Sequence, residues 1–166
     1  MLTIKIDQIP LASYALLHNG VALIRNLTIE NSSESGYDAL KVRIFFDPEF
    51  ADMHEEHIVN LPSRGKWSRS DIQPSINTSY LSNLTEAVTA KTTVQVLTQE
   101  GEMLAEAKQE LQVLDYCQYW GNAFMPQYLA AYVTPRHIAL DQIIKRASEL
   151  LNEWTGTSLL SGYSHD

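Results

Sequence analysis

Residues with metal-binding side chains lie close together in the tetrapeptide His54-Glu55-Glu56-His57. Two histidines spaced by three residues can share a metal ion on a helix, whereas on a strand their side chains point to opposite faces. The acidic residues before them, Asp47, Glu49 and Asp52, lack the glycine-turned spacing of a calcium-binding loop. The pattern favours a solvated acidic loop, and we expect no bound metal. A small metal-dependent enzyme that uses His54 and His57 is the less favoured alternative.

Two other groups contain residue types that occur in nucleophilic active sites. Cys117 is the only cysteine and has no histidine near it in the sequence, which favours a small buried side chain over a nucleophile. Ser164-His165-Asp166 contains the residue types of a catalytic triad, but consecutive residues cannot converge as a triad requires. The sequence also lacks a phosphate-binding glycine loop, a Cys-x-x-Cys pair and a dinucleotide-binding fingerprint. We therefore expect a protein that is not an enzyme and uses no cofactor.

Negative charge is concentrated in the first part of the chain. Residues 1–120 contain 9 Lys and Arg against 16 Asp and Glu, a net charge of −7, whereas residues 121–166 contain 3 against 4, a net charge of −1. A nucleic-acid interface needs a basic face that displaces counterions from phosphate. The one basic cluster, Arg64, Lys66 and Arg69, surrounds Trp67 in a predicted hairpin. We expect no direct nucleic-acid binding.

The N-terminal residues alternate between polar and apolar types and lack the continuous apolar core of a signal peptide. No run in the sequence approaches the roughly 18 apolar residues of a membrane span. A single cysteine excludes an internal disulfide. These features predict a cytoplasmic protein that does not contact a membrane.

Apolar alternation predicts strands through most of the first part. It is clearest in residues 2–6 and 40–46, where every second residue is apolar. Residues 91–99 and 102–114 are predicted to be paired antiparallel strands because they are joined by a short turn. The composition of residues 102–114 by itself would favour a helix.

Three irregularities accompany these strands. Arg25 interrupts an apolar face in residues 23–29, so we expect a bulge or a strand end there. Asn19-Gly20 lies between two apolar runs, which predicts a hairpin turn. Residues 57–61 and 67–72 are predicted to be short strands on either side of a turn, and hence a second hairpin.

The end of the chain changes to helical periodicity. Thr134-Pro135 predicts the start of a helix over residues 136–154, and Gly156 predicts its end. A shorter helix is predicted over residues 126–133. The long helix has one apolar stripe, which we expect it to bury against this chain's own sheet or the shorter helix. The alternative is that the stripe packs on a downstream domain, in which case this chain alone would dimerise through the stripe or have a mobile tail. The stripe consists of Ile143, Ile144, Ala147, Leu150, Leu151 and Trp154.

Seven or eight short strands with turns every ten or so residues predict a mostly β fold. We expect an immunoglobulin-like antiparallel β-sandwich followed by a C-terminal helical segment with a long amphipathic helix. The sandwich is assigned to residues 1–120 and the helical tail to residues 121–166, packed together as a single structural domain.

Several packing motifs carry a family resemblance. The chain resembles the N-terminal domain of unknown function of very large bacterial superfamily-1 helicase-like proteins. In that family, transglutaminase-like and restriction-endonuclease-like segments often follow, and their catalytic residues match no position here. The motifs are Leu27–Asn31, Asp47–Phe50, Leu111–Tyr116, Trp120-Gly121, Tyr128–Pro135, Trp154-Thr155-Gly156 and Leu160–Tyr163.

The resemblance implies a non-catalytic accessory or interaction module of a large nucleic-acid-processing protein. Its expected partner is protein, namely downstream domains of the same polypeptide, and a homodimer is a further arrangement. Trp120, Trp154 and Tyr163 are the candidate interaction surface. The alternative from another class is a stand-alone peptide- or sugar-binding sandwich module, which would display Trp67, Tyr80 or Trp120 as an exposed aromatic group.

Overall fold

The computed structural model of the protein describes residues 1–116, residue 118 and residues 138–156, with the backbone alone for residues 138–141. Over these ranges the fold is mostly β, as predicted, with a C-terminal helix. The strands are β1 (Leu2–Gln8), β2 (Leu11–Ala12), β3 (Ile24–Asn31), β4 (Tyr37–Asp47), β5 (His54–Leu61), β6 (Lys66–Ile72), β7 (Val88–Leu97) and β8 (Met103–Val113). The helices are α1 (Tyr14–His18), α2 (Thr78–Ser82) and α3 (Ile138–Thr155).

The strands form two sheets. One has the order β1-β3-β6 and is antiparallel; the other has the order β2-β8-β7-β4-β5 and contains one parallel pair, β2 with β8. The chain passes from the first sheet to the second at Pro10, which cannot donate a ladder hydrogen bond. Its carbonyl instead accepts a hydrogen bond from the Gln112 amide at 3.0 Å.

The core lies between inward faces of both sheets. Leu27 and Ile29 of β3, and Val42 and Ile44 of β4, are completely buried in the same cluster. Leu81 of α2 is buried against them. Burial stabilises the fold by roughly 1.5–3 kcal/mol for each large aliphatic side chain. The alternation predicted in residues 2–6 and 40–46 is confirmed by β1 and β4.

Residues 102–114 illustrate how pairing overrides local preference. They form β8, which pairs antiparallel with β7 from Val88 opposite Val113 to Leu97 opposite Met103. The strand prediction is therefore confirmed, since ladder bonds and sheet packing outweigh composition. The bulge at Arg25 is also confirmed, because consecutive residues of β1 pair with residues 26 and 24 and pass over residue 25.

The hairpin predicted at Asn19-Gly20 is wrong. The apolar run before it forms α1, where the Ser13 side chain accepts a hydrogen bond from the Leu16 amide at 3.3 Å. Gly20 has a φ of +78°, and its amide donates to the Leu17 carbonyl at 3.1 Å. A helix end and a hairpin turn both need positive φ, so the Asn-Gly pair fits either. The serine cap decides in favour of the helix.

The hairpin predicted around residues 62–65 is also wrong, although both flanking strands exist. β5 pairs with β4 and β6 pairs with β3, so the turn carries the chain from one sheet to the other. Asn31 is buried beneath this crossover and donates from Nδ2 to the carbonyls of Ser35 at 2.8 Å and Pro62 at 3.0 Å. Gly65 is required because a Cβ there would lie 2.5 Å from Cγ of Pro62.

The long C-terminal helix is confirmed as α3. It ends as predicted at Gly156, which has a φ of +74° and donates its amide to the Asn152 carbonyl at 2.9 Å. The predicted helix start at Thr134-Pro135 and the predicted helix over residues 126–133 lie outside the described residues. No helix in the described part of the chain is long and apolar enough to cross a membrane.

Candidate protein-docking surface

The two histidines that suggested a metal site lie on β5, three residues apart. His54 Nε2 is 3.0 Å from the Glu56 carboxylate, and His57 Nε2 is 3.4 Å from the Glu55 carboxylate. Residues three apart on a strand face opposite sides of a sheet, so the two histidines contact two different carboxylates. Over residues 1–116, 118 and 138–156, no three potential metal ligands converge.

The same glutamates neutralise cations beside an exposed sheet edge. Arg43 donates from Nε to Glu55 at 2.9 Å, and Arg69 Nε lies 3.2 Å from Glu56. The hydrogen bond from Arg43 lowers the pKa of Glu55; partial desolvation opposes this effect, and the positive charge of Arg43 reinforces it. β5 is the outer strand of its sheet, and charged side chains there discourage pairing with another chain. We interpret the cluster as edge protection.

The predicted basic cluster is dispersed among acidic partners. Arg64 pairs with Glu34, and Arg69 belongs to the Glu56 cluster. The charge of Lys66 affects Glu30. A hydrogen bond from Lys5 lowers the pKa of the Glu30 carboxylate, and the positive charge of Lys66 lowers that pKa slightly further. Two of the three cations, Arg64 and Arg69, are therefore paired with carboxylates.

The aromatic residues considered for ligand binding do not form an exposed group where they are described. Trp67 and Tyr80 are half-buried and pack against the core. A different aromatic group forms where β8 ends: Tyr14 stacks on His18 with 5.1 Å between ring centroids, and Tyr116 lies 5.3 Å from Tyr14. Sequence reasoning missed this group because about a hundred residues separate its members.

Of the candidate surface residues, Trp154 is described and the others are not. It lies in the last turn of α3 and is 78% exposed. Trp120 and Tyr163, like Cys117 and residues 164–166, lie outside the described residues. A docking surface therefore has to be built from α3 itself.

One face of α3 is apolar. At about 100° per residue, the six stripe residues fall within an arc of roughly 120° centred on Ala147. Lys145, Glu149 and Asn152 occupy the opposite face, and Arg146 donates to Glu149 at 3.1 Å. The helix thus separates an apolar face from a hydrated polar face along its described length.

Much of that apolar face is exposed. Ile143 is 63% exposed and Ile144 57% exposed, whereas Leu150 and Leu151 are half-buried. The internal burial expected of the stripe is therefore absent at Ile143, Ile144 and Trp154. The assignment of residues 1–120 and 121–166 to one packed domain stays a prediction. Contiguous exposed apolar surface of this kind marks interaction sites.

Trp154 is the one residue of this surface that was also a predicted candidate for partner contact. Ile143 and Ile144 belong to the stripe predicted from the sequence, but internal packing was the favoured prediction for that stripe, so they were not among the candidate surface residues. A scan of protein-family models gives no match to the chain, and a search of curated proteins gives no match either.

Proposed function

We propose that this chain is a non-catalytic accessory module of a large helicase-like nucleic-acid-processing protein, and that α3 gives the module a protein-docking surface. The observation that carries the docking role is the exposure of Ile143, Ile144 and Trp154 on one face of the helix. Covering each of these side chains would contribute roughly 1.5–3 kcal/mol, before the entropic cost of association. The helicase context rests on the family resemblance.

The shape of the surface favours a protein partner. Small-molecule sites are concave and enclose most of their ligand. The apolar stripe instead lies on a convex helix, which suits a hydrophobic groove or another helix. Anchors at positions i, i+4 and i+7, here Ile143, Ala147 and Leu150, are the spacing by which helices dock in grooves.

The charge of the β-rich part supports a protein-mediated role. Residues 1–120 carry a net charge of −7, and Arg64 and Arg69, near Trp67, pair with carboxylates. A surface of this kind repels phosphate and gains little from counterion release. The module would therefore reach a nucleic-acid-processing assembly through protein contacts.

The β-rich part is proposed to be an immunoglobulin-like sandwich. Strands β1, β3 and β6 in one sheet and β4, β7 and β8 in the other correspond in order to strands A, B, E and C, F, G of that fold. Of the five crossings between the sheets, the one before β2 and the one after β5 support the same assignment. β5 would be the additional strand beside C.

Binding to the helicase-like region encoded with this chain tests the proposal. We expect titration calorimetry with the purified region to detect an interaction that Leu150→Asp abolishes. Gln142→Asp is the matched control, since it adds the same charge to an exposed polar position of α3. Absence of such a region from the locus contradicts the helicase context, and binding that Leu150→Asp leaves intact contradicts the docking role of α3.

A further inference from the structure

The apolar residues of α3 are arranged nearly symmetrically about Ala147. Ile143 and Ile144 precede it by four and three residues, and Leu150 and Leu151 follow it by three and four. On a helix these four side chains lie about 40° and 60° to either side of Ala147. Such a face is complementary to itself when one copy is reversed, as an isologous interface requires.

We infer that the apolar stripe binds the same stripe of a second copy of this chain, with the two α3 helices antiparallel about a two-fold axis at Ala147. This inference rests on the docking role proposed for α3 and assigns to the stripe a second copy of the chain, which would compete with the helicase-like region for the same face. With Ala147 opposite its own copy, Ile144 lies about 4.5 Å from the axis and Leu151 of the second copy about 6 Å from it on the same side. Ile143 meets Leu150 of the second copy in the same way.

The residue at the centre favours close packing. Alanine presents only a methyl group where the helices cross, so the flanking branched side chains can interdigitate as knobs in holes. A large residue at the two-fold axis would meet its own copy and hold the helices apart. An alanine at position 147 therefore suits packing against a second helix better than packing against an irregular surface.

Charges beside the stripe are complementary in the antiparallel arrangement. Arg146 and Glu153 lie on the same flank of α3, about 100° and 120° from Ala147. An antiparallel pair brings this flank against the same flank of the second copy, with Arg146 about 7–8 Å along the axis from the other Glu153, within reach of an arginine side chain. In a parallel pair Arg146 would instead face the flank that carries Asp141 and Ser148, so exchanging the charges of Arg146 and Glu153 distinguishes the two arrangements.

The strength of such an association follows from its size. A single pair of helices of this length buries less than the roughly 1,200 Å² of a standard specific interface. We therefore expect a reversible dimer that forms at micromolar or higher concentration rather than an obligate one. The β-rich part has its own buried core and does not depend on dimer formation.

Sedimentation equilibrium of the full chain, from about 1 µM to about 1 mM, tests the inference over the range where such a dimer dissociates. We expect a monomer–dimer equilibrium that Leu150→Asp weakens at least tenfold and Gln142→Asp leaves unchanged. The β-strand signal in the circular dichroism spectrum of the full chain should be the same for both variants. A monomer throughout this range, or a dimer insensitive to Leu150→Asp, overturns the inference.

Charge exchange and cross-linking test the geometry. Arg146→Glu should weaken the dimer, and adding Glu153→Arg should restore it. In a Cys117→Ser background, Ala147→Cys should give a disulfide-linked dimer under mild oxidation, whereas Lys145→Cys on the far face should not. Failure of the charge exchange to restore association contradicts the antiparallel pairing.

The outcomes separate this inference from the proposed function. A chain that stays monomeric but binds the helicase-like region through Leu150 refutes the dimer and leaves the docking role intact. A chain that dimerises through the stripe and does not bind that region supports self-association and contradicts the helicase context.

Discussion

The β-rich part and α3 both carry regular apolar patterns, yet they use them differently. Val42 and Ile44 alternate along β4 and are completely buried. Ile143 and Ile144 belong to an equally regular helical stripe and are more than half exposed. Periodicity thus identifies the apolar face of an element in both regions, but the covering of that face has to be found in three dimensions.

The difference follows from how each element satisfies its backbone. A strand needs neighbours for its amides and carbonyls, so β4 exists only between β5 and β7, where its side chains meet the opposite sheet. A helix closes its hydrogen bonds internally and can extend away from a core. Because an isolated helix is marginal in water, α3 should gain stability when its apolar face is covered.

The largest expected effect separates the two regions directly. Ile44→Ala should lower the free energy of unfolding by about 2–5 kcal/mol, because it leaves a cavity in a close-packed core. Ile143→Ala, measured at low protein concentration, should change it by less than about 0.5 kcal/mol, since an exposed side chain has little burial to lose. Urea unfolding monitored by fluorescence or circular dichroism measures both.

One result for these two variants would contradict the expected contrast between the regions. Equal losses for Ile44→Ala and Ile143→Ala in the monomer would mean that α3 is buried within the same cooperative unit. The contrast between the two regions would then disappear, and the docking surface with it.

A smaller effect is expected where the chain crosses between sheets. Asn31→Ala should destabilise the fold by about 1–3 kcal/mol, because the buried Asn31 side chain loses its hydrogen bonds to the carbonyls of Ser35 and Pro62. Asn60→Ala is the matched control: its amide donates to Asp38 at an exposed site, and its removal should cost little. Thermal unfolding of the two variants side by side provides the measurement, and a larger loss for Asn60→Ala would contradict the role of Asn31.

The smallest effect concerns the edge strand β5. Arg43→Gln should raise the pKa of Glu55 toward its ordinary value of 4.5, because the hydrogen bond and positive charge that lower it are removed. A carboxylate with a lowered folded pKa adds stability above its unfolded pKa and loses that stability as pH falls through the folded pKa. The contribution of this pair should therefore fade below about pH 4.5.

Carboxyl resonances followed by NMR as a function of pH would measure this shift. Arg25→Gln is the control, since Arg25 lies beside Asp7 rather than Glu55. An unchanged pKa of Glu55 in the Arg43→Gln variant would show that Arg43 does not set it. Added salt should also reduce the shift, because the pair is partly exposed.

Local patterns were sufficient for much of the secondary structure. Alternation located β1 and β4, the interruption at Arg25 located the bulge, and Gly156 located the end of α3. Pairing was harder: the segments that became β5 and β6 were recognised as strands but wrongly joined as a hairpin. The buried Asn31 that directs this crossover bonds to a residue 31 positions away, and no local pattern reports such a contact.

The features of the candidate site also fall into those that the sequence predicts and those that only the tertiary structure identifies. The amphipathic stripe of α3, its alanine centre and its flanking charges are properties of the sequence, since helical geometry fixes which residues share a face. Only the tertiary structure distinguished the buried face of β4 from the exposed face of α3, and only it paired His54 and His57 with separate glutamates. Burial and ion pairing depend on which elements meet in space, and residues far apart in the chain decide that.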